Sequence, residues 1–293
     1  MVRLAARSSI LSRIQVEKVS EALRSLGLDV EFVPVKSRAD LAPDTPLRSL
    51  GRGAFEAEVN SAVIRGEADL AVHSMKDLPT EIDPRLTVLG VLKRDTPFDV
   101  FVSPRSLRDV EGGFRVGTGS ERRANFVRFL RPDLRVVPIR GNVDTRLRKY
   151  REGEVDSLIL AEASLARLGE HVNYFVIDPT ELAPEANQGA IAVVGRSNWS
   201  GAEEIKTVLD DESWTEVKAE REVLRIVGGG CSFPVGVLFR VEGNSLWGVA
   251  TYITPYLKVS VQGTFRADPT YAGRELGRKL LEAMRSEGAL AEA

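Results

Sequence analysis

The sequence predicts an α/β fold with two similar doubly wound α/β domains and a small α+β third domain. Short apolar runs alternate with amphipathic helical stretches in the first two thirds of the chain, and the alternation restarts after residue 98. From about residue 212 the order becomes one helix, two strand-like runs and a final helix. A chain of 293 residues is long enough to form two or three hydrophobic cores.

The first domain is predicted to comprise residues 1–95 together with 189–208. Two strands are expected, at residues 3–6 and 31–35, and Ser8 or Ser9 can cap a helix between them. The apolar face of this helix is predicted to contain Ile10, Leu11, Ile14, Val19, Leu23 and Leu26. A second helix near Phe55, Val59 and Val63 then leads into the strand candidate GEADLAVHS.

The second domain is predicted at residues 98–187 and the third at 212–293. In the second, FRVGTGSERR reads as strand, turn and helix start, RVVPIRGN as strand and turn, and DSLILAEAS as a strand before a helix. The run ELAPEANQGAIAVVGR is expected to cross back to the first domain. Residues 65–72 and 151–160 both place Gly-Glu-x-Asp before a strand, which indicates either an internal duplication or chance.

Composition narrows the possible functions. A net charge of −2 gives no basic field for nucleic acid, and no apolar run approaches the roughly 20 residues of a membrane span. One cysteine and two histidines supply neither a disulfide nor a metal site. The opening MVRLAARSS lacks the apolar core of a secretory signal. We expect a cytoplasmic monomer without a metal.

A candidate catalytic group follows one of the predicted strands. The segment VHSMKDLPTE places Ser74, Lys76 and Asp77 at the end of an apolar strand, where open α/β sheets carry their ligand-binding loops. A carboxylate at this point can act on a substrate. The alternative is a turn in which Asp77 caps the segment that follows.

Arginines recur at strand ends and in loops. VGTGSERRANF combines Thr118 and Ser120 with Arg122 and Arg123 at a helix N-terminus, which favours anions. Similar positions hold Arg7, Arg52, Arg140 and Arg146. Each alone is compatible with surface solvation, but together they predict a cationic cleft for a polycarboxylate. A phosphate would fit nearly as well, although the chain lacks the P-loop and dinucleotide fingerprints.

Cys231 follows three glycines and precedes Pro234, which predicts an exposed loop thiol. Such a thiol can be alkylated. The alternative for a single cysteine is a buried, inert side chain.

These pieces together resemble the porphobilinogen deaminase family. The resemblance rests on RLAARSS, GRGAF, VHSMKDLP, GTGSERR, RGNVDTR, NQGAIAV and GGGCSFPVG, in this order. It implies a periplasmic-binding-protein-like pair of domains with a cleft. It also implies a transferase that joins four porphobilinogen molecules head to tail on a covalent dipyrromethane primer. Ammonia is released at each step, and linear hydroxymethylbilane is finally released by hydrolysis.

The resemblance also implies roles for individual residues. Cys231 would carry the dipyrromethane through a thioether, and Asp77 would be the catalytic carboxylate that stabilises the azafulvene cation formed as ammonia leaves. Carboxylate side chains of cofactor and substrate would be bound by Arg7, Arg122, Arg123, Arg140 and Arg146. Further contacts are expected from Ser9, Arg52, Ser74, Lys76, Thr118, Ser120 and Gln188.

The chain departs from the family pattern at several positions. Arg52 stands where lysine is common, and GTGSERR replaces the usual GTSSLRR, so Gly119 and Glu121 change that loop. We expect these changes to alter affinity and to leave the chemistry intact.

Two other functions share features with this sequence. A non-catalytic solute-binding protein shares the two-domain plan, but it needs neither the glycine-rich cysteine loop nor a third domain. An acyl or phosphoryl transferase using Cys231 needs a base near the thiol. Its only candidates, His73 and His171, lie in the other predicted domains.

Overall fold

The computed structural model describes residues 1–37, 55–228 and 233–289. Its strands are β1 (Val2–Arg7), β2 (Val30–Val35), β3 (Leu70–Ser74), β4 (Leu86–Val91), β5 (Asp99–Val102), β6 (Arg115–Thr118), β7 (Arg135–Pro138), β8 (Ser157–Ala161), β9 (Tyr174–Val176), β10 (Ile191–Arg196), β11 (Val235–Glu242), β12 (Ser245–Ile253) and β13 (Lys258–Arg266). The helices in these ranges are α1 (Ile10–Arg24), α2 (Ala57–Ile64), α3 (Glu121–Leu130), α4 (Val143–Arg151), α5 (Glu162–Leu168), α6 (Ala202–Lys206), α7 (Asp211–Val227) and α8 (Pro269–Ser286).

The chain forms two compact units. The first contains residues Met1–Asp95 and Gly189–Trp214, and the second contains Thr96–Gln188 and Thr215–Ala293. The predicted division into three domains stays a prediction.

The first unit is built on a five-stranded sheet with the order β2-β1-β3-β10-β4. β1 runs parallel to β2 and β3, whereas β10 is antiparallel to both β3 and β4. Helix α1 packs on this sheet through Val16, Val19 and Leu23, which are at most 3% exposed. Ile10 was predicted on the same face and is 56% exposed, so that part of the prediction is wrong. It is the first residue of the helix.

The second unit repeats the plan of the first. Its five-stranded sheet has the order β7-β6-β8-β5-β9, with β6 parallel to β7 and β8, and β5 antiparallel to β8 and β9. If β6, β7, β8, β5 and β9 are matched to β1, β2, β3, β10 and β4, the two orders are identical. The predicted class of two similar doubly wound α/β units is therefore confirmed.

A pair of equivalent ion pairs supports the duplication hypothesis. In the first unit, Arg3 on β1 donates from its backbone N and its side-chain Nε to Asp69 Oδ2, at 2.9 and 3.2 Å. In the second unit, Arg115 on β6 makes the same two contacts with Asp156 Oδ2, at 2.8 and 3.0 Å. Each aspartate immediately precedes the third strand of its sheet, so the Gly-Glu-x-Asp repeat of the sequence marks a repeated contact.

The second unit also contains a separate antiparallel sheet, with the order β11-β12-β13. Helix α8 packs against it through Leu276 and Leu280, which lie in one core with Phe239 of β11. Asp268 caps α8 by accepting the backbone N–H of Tyr271 at 3.0 Å. β12, β13 and α8 were expected, whereas β11 was not. This arrangement confirms the predicted small α+β part.

Candidate active site

One group of predicted residues lies at the carboxyl ends of β1 and β3, which are adjacent and parallel in the first sheet. Arg7 ends β1 and Ser74 ends β3, and a 3₁₀ turn at Met75–Asp77 follows directly. Met75 is buried, whereas Lys76 and Asp77 are half-buried. The turn therefore anchors itself through Met75 and leaves the two charged side chains in partial contact with solvent.

Helix α1 supports this edge of the sheet. Ser9 is its N-cap and accepts the backbone N–H of Ser12 at 3.3 Å. Gln15, one turn further along, is 2% exposed and donates from Nε2 to the Ser74 hydroxyl oxygen at 2.7 Å. Gln15 was not predicted from the sequence. A glutamine on an amphipathic helix gives no sign of burial until the helix is docked on its sheet.

His73 lies beside this group as a neutral side chain. Its Nε2 is 2.9 Å from Asn60 Oδ1. Burial, and to a smaller extent the positive charge of Arg7, lowers the pKa of His73 to about 3. The Arg7 guanidinium in turn lies 4.6 Å from the centre of the Phe55 ring. His73 is therefore unprotonated at neutral pH, and Arg7 remains the cationic group at the end of β1.

The second group of predicted residues lies at the carboxyl ends of β6 and β7, which are also adjacent and parallel. Thr118 Oγ1 accepts the backbone N–H of Ser120 at 3.2 Å, and Ser120 caps helix α3 by accepting the backbone N–H of Arg123. These two hydroxyls shape the loop between strand and helix. Their observed contacts are with the chain's own backbone.

Gly119 allows this loop to approach the neighbouring strand end. A Cβ atom at residue 119 would lie only 2.9 Å from the carbonyl oxygen of Ile139, which is closer than real Cβ contacts allow. Any larger residue at 119 thus requires a shift of the loop or of the segment after β7. This departure from the family pattern has a local structural consequence.

Arg122 and Arg123 are buried and paired with a carboxylate that the sequence analysis missed. Arg122 Nη2 donates to Asp99 Oδ2 at 2.6 Å, and Arg123 Nη2 donates to Asp99 Oδ1 at 2.7 Å. Burial alone would raise the pKa of Asp99, but the charges of Arg122 and Arg123 and hydrogen bonds from Arg123 and Gln188 hold that pKa well below its usual range. Asp99 is therefore ionised, and it neutralises one of the two guanidinium charges.

Arg140 and Arg146 form a less compensated cationic pair. Arg140 is half-buried and makes no hydrogen bond or ion pair within the described ranges. Arg146 donates from Nε to the Gly141 carbonyl oxygen at 2.8 Å. Burial, followed by the charges of Arg123 and Arg140, lowers the pKa of Arg146 to about 10, against a smaller opposing effect of Glu185. A lowered pKa means that keeping Arg146 charged costs free energy, and a bound anion beside Arg146 would reduce that cost.

Two predicted residues, Arg52 and Cys231, lie outside the described residues. The first unit thus brings together Arg7, Ser9, Ser74, Lys76 and Asp77 at one edge of its sheet. The second unit does the same with Thr118, Ser120, Arg122, Arg123, Arg140 and Arg146, while Gln188 contacts Asp99 and Arg123. Within the described ranges, no cluster of His, Cys, Asp or Glu is suited to a metal ion. None of the helices there is long and apolar enough to span a bilayer.

Comparison with known families accounts for nearly the whole chain. Residues 2–204 match the family model described as "Porphobilinogen deaminase, dipyromethane cofactor binding domain", and residues 214–286 match "Porphobilinogen deaminase, C-terminal domain". The chain belongs to the porphobilinogen deaminase family. The resemblance found in the sequence motifs is therefore confirmed.

Relatives in this family are similar over their full length. A protein of Metallosphaera sedula named "Probable porphobilinogen deaminase" is 48% identical over 287 residues, which cover 98% of each chain. Proteins with the same name from Saccharolobus islandicus and Sulfurisphaera tokodaii are each 45% identical, again with 98% coverage of both chains.

Solved structures show a weaker likeness. The methionine-binding protein MetQ aligns with a TM-score of 0.44 at 13% identity, covering 73% of this chain and 89% of its own. A periplasmic substrate-binding protein of an ABC transporter from Coxiella burnetii gives 0.44 at 15% identity, covering 73% and 93%. At these scores the likeness adds nothing to the fold described above.

Proposed function

We propose that this chain is a hydroxymethylbilane synthase, a transferase that condenses four porphobilinogen molecules head to tail. Ammonia leaves at each addition, and hydrolysis finally releases linear hydroxymethylbilane from a dipyrromethane primer held on Cys231. Membership of the family supports the activity. The observation that carries the site is the grouping of Arg122, Arg123, Arg140 and Arg146 after the adjacent parallel strands β6 and β7. The lowered pKa of Arg146 in this group is consistent with a place for an anion.

The donor set suits the chemistry of the substrate and the primer. Each pyrrole unit carries an acetate and a propionate, and planar guanidinium groups bind carboxylates through paired N–H donors. When bound, the dipyrromethane supplies the pyrrole α-carbon to which porphobilinogen units are added. The residues proposed to hold carboxylates are Arg7, Arg52, Arg122, Arg123, Arg140 and Arg146, with further contacts from Ser9, Ser74, Lys76, Thr118 and Ser120.

Cys231 is the proposed point of attachment. During priming, the C–N bond of a porphobilinogen aminomethyl group breaks and a C–S bond to Cys231 forms. The nitrogen leaves as ammonia and takes the thiol proton. This step needs no oxidant or metal, which is consistent with a chain whose single cysteine supplies the sulfur.

Asp77 is the proposed catalytic residue. As the C–N bond of the substrate breaks, positive charge develops on the pyrrole and its methylene carbon, and a nearby carboxylate stabilises that charge. The same carboxylate can accept a hydrogen bond from the pyrrole N–H. Asp77 suits this task because its turn is anchored by buried Met75 while its own side chain is half-buried. The monomeric state and the location in the cytoplasm stay predictions.

The proposal is tested by replacing Asp77 and comparing turnover of porphobilinogen. We expect Asp77→Asn to fold and to lose turnover by about a hundredfold or more, because an amide cannot offset a developing cation. The control is Asp83→Asn in the same loop region, where the carboxylate pairs with Arg85. It should keep turnover near that of the parent. Equal turnover in the two variants would contradict the role of Asp77.

A further inference from the structure

Asp99 was not among the binding residues predicted from the sequence, yet its side chain is buried between two of them, Arg122 and Arg123. It begins β5, and its side chain is 0% exposed, while the side chains of Arg122 and Arg123 are 4% and 6% exposed. Each oxygen of the carboxylate binds a different arginine. A single buried carboxylate therefore sets the relative orientation of two neighbouring guanidinium groups.

The two arginines are used unequally. Arg123 donates four hydrogen bonds: two to Asp99, one to the Ile159 carbonyl and one to Gln188 Oε1. Arg122 donates only two, to Asp99 and to the Ala183 carbonyl. Since a guanidinium has five N–H groups, three of those on Arg122 have no acceptor in the described part of the chain. Arg122 thus keeps three N–H donors for a ligand, whereas Arg123 keeps one.

The charge of this group does not balance. Two guanidinium groups and one carboxylate leave a net charge of +1 in a region with almost no solvent. A cluster that served stability alone would be expected to be neutral, because burying uncompensated charge is costly. The excess positive charge is what a site for an anionic ligand requires.

Gln188 completes the arrangement. It is 0% exposed, and its Nε2 donates to the Pro97 carbonyl at 2.8 Å and to Asp99 Oδ1 at 2.9 Å. The turn that carries it is fixed one residue earlier, where the backbone N–H of Asn187 donates to Glu220 Oε2 at 2.5 Å. Glu220 belongs to helix α7, which ends four positions before Cys231 in the chain.

We propose that Asp99 is a positioning residue, supported by Gln188, that orients Arg122 and Arg123 to bind the carboxylate groups of porphobilinogen and of the growing chain. This inference rests on the proposed function and deepens it. Gln188 acts here through Asp99 and Arg123 and does not need to touch the ligand. Loss of the carboxylate leaves the arginines present but misdirected.

The first test compares Asp99→Asn with the parent in steady-state assays on porphobilinogen. We expect KM to rise by about tenfold or more, as for the loss of one well-oriented charged contact, while kcat falls by less than about threefold. The matched control is Asp156→Asn, which breaks a different aspartate–arginine ion pair of the second unit, the one between Asp156 and Arg115. Its KM should stay at the parent value. A parent-like KM in folded Asp99→Asn would overturn the proposal.

A second variant distinguishes two roles of Asp99: orienting Arg122 and Arg123, and balancing their positive charge. Asp99→Asn combined with Gln188→Glu keeps the net charge and moves the carboxylate to a side chain whose Oε1 lies 3.2 Å from Arg123 Nη2. We expect it to recover thermal stability relative to Asp99→Asn and to keep the raised KM. Recovery of both stability and KM would show that Asp99 only balances charge, and would overturn the proposal.

If neither variant folds, Gln188→Met is the deciding test, because it removes the hydrogen bonds that Gln188 makes with Asp99 and Arg123 and preserves every charge of the cluster. It should raise KM several-fold, and a parent KM would overturn the proposal. Failure of the proposed function itself looks different, because the parent chain would then neither consume porphobilinogen nor release ammonia.

Discussion

Replacing Arg146 should stabilise the ligand-free protein and weaken binding at the same time. The pKa of Arg146 falls from 12.5 to about 10, mainly because of burial and then because of Arg123 and Arg140. The shift corresponds to a loss of about 3 kcal/mol in the free energy of unfolding, because the folded chain must keep Arg146 charged. We reduce this figure to about 2 kcal/mol because solvent reaches the half-buried side chain. Loss of the hydrogen bond to the Gly141 carbonyl subtracts about 1 kcal/mol.

The net expectation for Arg146→Met is a gain of about 1 kcal/mol in the free energy of unfolding, or a rise of about 2 °C in Tm for a chain of 293 residues. Thermal unfolding should be measured in a Cys231→Ser background, so that no attached pyrrole compensates the charge. In the Cys231 protein, the same substitution should raise KM for porphobilinogen by about ten- to a hundredfold. The control is Arg148→Met on the same helix, where the arginine is exposed and pairs with Glu152. It should change neither quantity appreciably.

A lower Tm for Arg146→Met, together with a KM within about twofold of the parent, would show that Arg146 is not a ligand-binding residue. The arginine would then be a stabilising surface group, and its lowered pKa would have no bearing on ligand binding.

Three further predictions follow from the site. Arg122→Ala and Arg123→Ala should each impair both primer assembly and elongation, which intact mass and turnover measure; full assembly with parent kinetics would remove that loop from the site. The pKa of His73 is about 3 in the folded chain and about 6.5 in the unfolded chain, so below pH 6.5 the unfolded state binds a proton that the folded state does not. The contribution of His73 to the free energy of unfolding is therefore complete above pH 6.5. It is lost as the pH falls toward 3, at up to about 1.4 kcal/mol per pH unit. Urea unfolding at pH 7 and pH 5 should show a smaller loss for His73→Gln than for the parent, and equal losses would count against this. Asn187 has a φ of 67°, and its buried Oδ1 has no hydrogen-bond partner in the described ranges. In urea unfolding, Asn187→Gly should therefore raise the free energy of unfolding by about 1 kcal/mol, whereas Asn187→Ala should lower it. The reverse order would contradict this prediction.

The sequence was sufficient to predict much of the fold because the relevant signals are local. The period of the apolar residues and the glycine-rich strand ends predicted the alternation of strands and helices. The same local signals predicted that Arg7, Ser74 and Asp77 would lie at strand ends. β11 was missed because its first residues, Val235 and Gly236, were assigned to the motif GGGCSFPVG. Ile10 was misplaced because periodicity does not show where a helix extends beyond its sheet.

The supporting residues could not be predicted because their partners are distant in the chain. Asp99 lies 23 positions before Arg122, and Gln188 contacts Asp99 across 89 positions. One signal for Asp99 was present. It is an acidic residue at the start of the otherwise apolar run DVFV, and a charge on a buried strand must be paired. Gln15 and Asn60 offered no comparable signal, since both lie on helices where polar residues are ordinary.

Attachment of a dipyrromethane to Cys231 is best tested by the intact mass of the purified chain beside that of its Cys231→Ser variant, under conditions that preserve thioethers. Both proteins should be measured before and after incubation with porphobilinogen. We expect the parent to carry the added mass of two porphobilinogen units less two molecules of ammonia, and the variant to carry none. A parent without this adduct, even after incubation, or a variant that carries it, would show that Cys231 does not anchor a dipyrromethane.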